Sequence, residues 1–385
     1  MKDLSIYFSP VDLEIDSLDH TVGKSIQIHT EGTFPDIEEK GIALLYVPEF
    51  RNGDTSFQGK TDDEFRKFFY NLFLGKDWGF KLYDCGTILP GNEITDTYFA
   101  VSQVTSELIK NKVIPIIIGG TQDLTYALYK GYEKLEQMVN ICSIDHKLDL
   151  GDPEKEMSKD GYLSHLLTSR PCYLFNHSNI GCQAPFVSNP ELELFEKLYF
   201  DICRLGEFNS DFKKAEPHLR NADILSMDLQ SVRNSDFQTQ SNTSPNGFYA
   251  EQICQIAKYA GISDKLTSFG IFNHYSEGNS KTANHLLAQI IWYFIDGVSQ
   301  RKGDFPIGNK KDYTKFSVSL DDFKDEIVFY KSDKSERWWM EVPYPPIEAT
   351  KYERHHLVPC DYQDYQKAMQ NEIPNLWWKT YQKLG

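Results

Sequence analysis

The 385-residue chain is short of basic side chains: 40 Lys and Arg stand against 56 Asp and Glu, a formal net charge of −16. Such a surface repels phosphate backbones and anionic bilayers, so neither nucleic acid nor a membrane is an expected partner. No apolar run approaches the 18 or so residues that a membrane helix needs. The opening Met1-Lys2-Asp3-Leu4 carries one basic residue and no apolar stretch, so no secretory leader is expected. Cysteine is sparse and odd in number, seven in all, with no C-x-x-C. That pattern fits reduced thiols in a cytoplasmic setting, where the Asn176-His177-Ser178 and Asn242-Thr243-Ser244 sequons carry no meaning. The sequence also has no P-loop, no G-x-G-x-x-G, no G-x-S-x-G and no H-E-x-x-H, which removes the commonest phosphate-binding, serine-hydrolase and zinc-protease signatures.

What is present is ordinary globular composition, 40% hydrophobic and 25% charged, unevenly arranged. Residues 301–385 hold 14 basic and 14 acidic side chains, so the whole deficit of 16 lies in residues 1–300. The neutral tail also holds four of the six tryptophans: Trp338, Trp339, Trp377 and Trp378. Three segments are expected: a lead segment over 1–39, an α/β domain over 40–300 and an extension over 301–385.

Short apolar runs alternate with amphipathic segments in the middle of the chain. Strands are expected at Ala43–Val47, Phe80–Tyr83, Val113–Ile118, Asn140–Ile144, Ser178–Cys182, Leu198–Ile202, Asp223–Met227 and Leu266–Ile271. Helices are expected at Asp62–Phe73, Asp96–Lys110, Leu124–Lys134, Asp211–Arg220, Phe248–Ala260 and Thr282–Asp296. Near-continuous apolar strands followed by helices imply a parallel sheet covered on both faces. In the tail, Asp325–Ser332 and Arg337–Val342 read as a hairpin turning through Lys334 to Arg337. Asp361–Leu384 reads as a helix interrupted at Pro374. The tail aromatics are expected to pack on the main domain, with a protein partner as the alternative.

Ligands of parallel α/β sheets bind beyond the carboxyl ends of the strands. Three strand-end segments stand out: Ile118-Gly119-Gly120-Thr121-Gln122-Asp123, Ser143-Ile144-Asp145-His146-Lys147-Leu148-Asp149, and Leu225-Ser226-Met227-Asp228-Leu229-Gln230-Ser231. In this order they resemble G-G-D-H-S, D-A-H-x-D and S-x-D-x-D of the ureohydrolase family, which includes arginase, agmatinase and formimidoylglutamase. Asp84-Cys85-Gly86, Pro245-Asn246-Gly247-Phe248 and Thr282-Ala283 resemble further family turns, and the formimidoylglutamase-like branch fits best. The resemblance spans about residues 40–300. It implies a three-layer α/β/α sandwich on an eight-stranded, mostly parallel sheet, here with a C-terminal α+β extension. It also implies hydrolysis of a guanidine or amidine C–N bond by hydroxide held between two Mn²⁺ ions. Metal coordination can lower the pKa of water from about 15.7 to about 7, worth roughly 12 kcal/mol in making the nucleophile.

The ligand positions depart from that pattern. Asp145, Asp149 and Asp228 match, but Gln122, Lys147 and Gln230 stand where the family has His, His and Asp. Neutral amides are weak ligands for Mn²⁺, and a protonated lysine has no lone pair. The Lys147 ammonium is therefore expected to take the metal's place among the carboxylates, and Arg233 to supply a second cation. A one-residue slip that makes His146 a ligand, or a mononuclear site on Asp145, Asp149 and Asp228, are the alternatives. Asp149, Lys147 and His165 are the candidate catalytic groups, His165 as a proton shuttle. Arg233 and Glu277 are the candidate substrate contacts. His355, His356 and Cys360 match no metal spacing and are expected in a solvated loop, whereas Cys85, Cys142, Cys182 and Cys203 are expected to be buried.

Three functional readings follow. The leading one is a ureohydrolase-fold protein with an incomplete dinuclear site and a structural or regulatory role, needing no cofactor. The second is a hydrolase of a linear amidine with a rebuilt or mononuclear site, using Mn²⁺ if the family chemistry survives. The third is a binding module for a cationic guanidine or polyamine. The resemblance also implies a homo-oligomer.

Overall fold

The computed structural model of the chain describes residues 4–13, 17–53, 55, 64–239, 244–275, 281–307, 310–321, 326–345 and 352–384. The main sheet is built from β1 (Gln27–Ile28), β2 (Ile42–Tyr46), β3 (Leu82–Thr87), β4 (Ile114–Ile118), β5 (Val139–Ile144), β6 (Leu174–Ile180), β7 (Asp201–Cys203), β8 (Ile224–Asp228) and β9 (Ser268–Phe272). Their order across the sheet is β1-β3-β2-β4-β9-β8-β5-β6-β7, and every pairing is parallel. The ninth strand, beyond the eight expected, is the two-residue edge strand β1, contributed by the lead segment through Gln27 and Ile28 opposite Tyr83 and Asp84.

The helices are α1 (Val22–Ser25), α2 (Glu64–Tyr70), α3 (Ile94–Lys110), α4 (Leu124–Glu133), α5 (Tyr162–Thr168), α6 (Asn189–Lys197), α7 (Leu205–Ser210), α8 (Glu216–Asn221), α9 (Ala250–Ile262) and α10 (Lys281–Ser299). Side chains of β2 alternate between two cores. Ile42, Leu44 and Tyr46 join the apolar faces of α2, α9 and α10. Ala43, Leu45 and Val47 join those of α3, α4 and α5. The period of two along a strand thus feeds both faces, and three layers result. The helix expected over Asp211–Arg220 is broken into a 3₁₀ turn at Phe212–Lys214 and α8. Pro217 lies in the first turn of α8, where its missing N–H costs nothing.

The tail forms a second sheet, antiparallel, of β10 (Tyr313–Val318), β11 (Ile327–Ser332), β12 (Trp338–Glu341) and β13 (Leu357–Cys360). The expected hairpin is β11–β12, with Tyr330 opposite Trp339, and it gains a strand on each side. The last helix is interrupted as expected, into Tyr362–Met369 and Asn375–Leu384. The tail aromatics pack inward: Trp339 and Trp377 are buried, while Trp378 stays 43% exposed. Phe175 of β6 joins the tail core, and Arg220 of α8 donates from Nη2 to the Cys360 carbonyl at 2.7 Å.

The solvated loop expected around His355 and Cys360 is corrected. Both residues are buried. The His355 ring lies 4.4 Å from that of Phe175, and Cys360 ends β13. The four strand-associated cysteines, Cys85, Cys142, Cys182 and Cys203, are buried free thiols, as expected. Among the described residues, no helix is long and apolar enough to cross a membrane.

Candidate metal and ligand site

The three motif segments meet at the carboxyl ends of β4, β5 and β8. After β4 the chain turns through Gly119 and Gly120, both at positive φ (102° and 53°). A Cβ at Gly120 would lie 2.8 Å from the Val47 carbonyl oxygen and 2.9 Å from that of Glu49, so only glycine lets the turn approach β2 so closely. The turn delivers Gln122 and Asp123 to the top of the sheet, both buried. Asp123 accepts from the Tyr98 hydroxyl and, at 3.0 Å, from the Asn52 amide. Beside it, Glu49 is fully buried and holds Arg51 and the Thr97 hydroxyl. Tyr98 and Thr97 come from α3, so this polar layer had no local signal in the sequence.

After β5 come Asp145, His146, Lys147 and Asp149. The Lys147 N–H donates to Asp145 Oδ1 at 2.9 Å, fixing that carboxylate. Asp149, at φ 51°, turns back so that its carboxyl group lies beside that of Asp145 and feels its charge. After β8, Asp228 Oδ1 accepts from the Gln230 N–H at 2.8 Å and from the Asn273 amide at 2.7 Å. Asp145, Asp149 and Asp228 are all buried. His146 Nδ1 lies 3.2 Å from Asp145 Oδ1, and Asp145, His146 and Asp228 each bring a ligating atom within 4.8 Å of the other two.

Burial dominates the electrostatics. It pushes Asp149 well above the usual carboxylate range, helped by the neighbouring Asp145 charge. It pushes Asp228 up to about 6, again helped by Asp145. Burial also acts to raise Asp145, but its contacts with His146, Asp149 and the Lys147 N–H together offset burial and leave that carboxyl low. For His146 burial acts to lower the imidazole, and Asp145 and Asp228 together outweigh it and raise it. One low and one high carboxyl is the pattern of two acids sharing a proton.

The replaced positions lie as follows. Gln122 donates from Nε2 to Ser226 Oγ at 3.3 Å. Gln230 accepts from the Lys159 ammonium at 3.5 Å. The Lys147 ammonium pairs with Asp160 at 2.8 Å and makes no ion pair with Asp145, Asp149 or Asp228. Its expected seat among the carboxylates is therefore corrected: the side chain is one-third exposed and reaches outward to an acid thirteen residues on. Arg233 is also elsewhere. Its Nε binds Asp236 at 2.9 Å, and its guanidinium lies 3.8 Å over the Tyr249 ring. It lines a cavity of about 610 Å³ with Gln183, Arg204, Glu207 and Tyr249. His165 sits on α5, and no hydrogen bond or ring contact joins its imidazole to the cluster. Glu277 lies outside the described residues. Asn273, Lys159 and Asp160 also border the site, and none of them lies in the three strand-end motifs.

The sequence model of the arginase family matches residues 63–295 of the chain. No curated protein sequence matches it. Among solved structures, formimidoylglutamase from Bacillus subtilis is 14% identical with a TM-score of 0.64, covering 77% of this chain and 97% of that one. Trypanosoma cruzi formiminoglutamase, determined with Mn²⁺, is 15% identical with a TM-score of 0.61, covering 70% and 97%. Bacillus subtilis arginase is 14% identical with a TM-score of 0.56, covering 66% and 98%.

Proposed function

The chain belongs to the arginase family, and from that premise we propose that it keeps the ureohydrolase fold without the dinuclear manganese centre and serves a structural or regulatory role. The observation that carries this reading is the fate of the three replaced side chains. Gln122 is spent on Ser226, Gln230 faces Lys159, and Lys147 faces Asp160. None is an imidazole or a carboxylate: the neutral amide oxygens of Gln122 and Gln230 are weak ligands for a second ion, and the Lys147 ammonium has no lone pair. The bridging hydroxide of the two-ion route, worth roughly 12 kcal/mol in making the nucleophile, therefore has no second ion to hold it here.

Lys147 does not repair the loss as a base. Burial acts to lower its pKa, but the bond to Asp160 and the charges of Asp160, Asp149 and Asp145 together outweigh burial and keep the ammonium charged. A charged lysine cannot take a proton from water.

The test is product release from formimidoylglutamate, agmatine and arginine, followed as ammonia, formamide or urea, with saturating Mn²⁺. The wild type is expected to match the blank. Restoring the family residues together (Gln122→His, Lys147→His and Gln230→Asp) is expected to raise manganese uptake. Wild-type turnover that disappears in Asp145→Asn would overturn the proposal.

A further inference from the structure

We infer that the chain holds one divalent transition-metal ion on Asp145, His146 and Asp228, a set in which His146, rather than the residue after it, supplies the nitrogen. This rests on the reading that the two-ion centre is lost, and adds what the remaining acids do. First, the geometry is near that of a bound ion. Ligands at about 2.0–2.2 Å from one tetrahedral ion lie about 3.3–3.6 Å apart, and the three ligating atoms here fall within 4.8 Å of one another. Side-chain shifts of about 1 Å close the set.

Second, two buried atoms in this cluster lack partners. Asp145 Oδ2 and His146 Nδ1 make no hydrogen bond, although their residues are only 1% and 8% exposed. His146 Nδ1 lies 3.2 Å from Asp145 Oδ1 as an ion-pair contact without a hydrogen bond. A buried polar group left so costs about 1–3 kcal/mol, and more when charged, so an unfilled pair of this kind points to a ligand between them.

Third, the groups are held in place from outside. Backbone N–H groups of Lys147 and Gln230 and the Asn273 amide bind the Oδ1 atoms of Asp145 and Asp228, leaving the Oδ2 atoms outside these bonds. Such outer contacts orient ligands before the ion arrives. The His146 ring stands edge-on to Phe186 at 5.1 Å, and the His146 carbonyl accepts from the Gln183 N–H at 3.0 Å. Fourth, the Lys147 and Lys159 ammonium groups reach Asp160 and Gln230, so neither sits among the ligating atoms. One imidazole and two carboxylates suit Zn²⁺ or a neighbouring first-row ion.

The experiment uses the full-length, untagged protein, stripped with chelator and titrated with Zn²⁺ by calorimetry and with Co²⁺ by visible absorption. One equivalent is expected, with a Co²⁺ band. His146→Ala and His146→Asn should each weaken binding more than tenfold, while Lys147→Ala leaves it unchanged, all with wild-type circular dichroism. Paramagnetic shift of an imidazole resonance in the wild-type Co²⁺ form reads the His146 ligand without any variant. No binding would overturn the inference and leave His146 as a charged partner of Asp145. One ion retained in both His146 variants but lost in Asp149→Asn would also overturn it, placing the ion on the carboxylates alone. Two equivalents in the wild type would instead overturn the reading on which it rests.

Discussion

Asp84 collects four donors: Arg66 Nε at 2.8 Å and Nη2 at 3.0 Å, the Tyr70 hydroxyl at 2.8 Å and the Gly86 N–H at 3.0 Å. Arg66 and Asp84 are both fully buried. The Asp-Cys-Gly segment, legible as a motif, therefore clamps α2 to β3. Asp84→Ala would remove a buried counter-charge from the Arg66 guanidinium. We expect a loss of about 3–5 kcal/mol in urea unfolding, with metal content unchanged. A loss below about 1 kcal/mol would contradict the clamp. At this scale the sequence is legible for which residues stand at the site and illegible for where they point. That Lys147 carries a charge is plain from its type. That it reaches Asp160, while His146 turns toward Asp145, is set by a loop thirteen residues on and by Phe186 forty residues on.

Elements were legible where burial is one-sided or complete. β2, β4 and β8 are buried at every position and apolar throughout except for Ser226 and Asp228 of β8. α6 was not read, although Ser188 and Glu191 form a capping box at its start. Only Phe195 of its nine residues is buried, so there is no apolar stripe to detect. β10 was missed for a related reason: as one flank of a small antiparallel sheet, it is half-exposed or exposed throughout. The last helix, Asn375–Leu384, was read from sequence, but not its place against the main sheet. Lys379 donates to the Phe200 carbonyl at 2.8 Å and to Asp201 Oδ1 at 2.9 Å, beside edge strand β7. Trp377 fills the tail core and donates from Nε1 to the Glu341 carbonyl at 2.8 Å. Trp377→Ala should cost about 3–5 kcal/mol by leaving a cavity. Tryptophan fluorescence and far-ultraviolet circular dichroism should keep one shared transition in the wild type. Separate transitions there would contradict a tail docked as part of the fold.

The whole molecule joins an acidic body to a neutral tail through buried cations. Lys265 donates to Asn221 Oδ1 at 2.9 Å and to the Arg354 carbonyl at 3.2 Å, tying α9's far end to the tail. Burial lowers its pKa to about 8, against the opposing pull of Asp223. The unfolded chain holds this proton up to about 10.5, so between pH 8 and 10.5 the unfolded state binds more protons and stability rises with pH. The rise is worth up to roughly 3 kcal/mol. Lys265→Met should flatten it in thermal melts taken from pH 8 to 10, and an unchanged slope would contradict the assignment. No single stretch of sequence carries this junction, because its partners lie 44 and 89 residues away. The family fold, by contrast, was legible from three strand-end motifs in order.

The central claim concerns what those motifs no longer hold. It is tested most directly by metal content per chain, measured by plasma mass spectrometry. The protein would be untagged, expressed with added Mn²⁺ and dialysed. The account predicts no more than one equivalent of divalent metal. Two equivalents of manganese would contradict it and restore amidine hydrolysis as the function of this site.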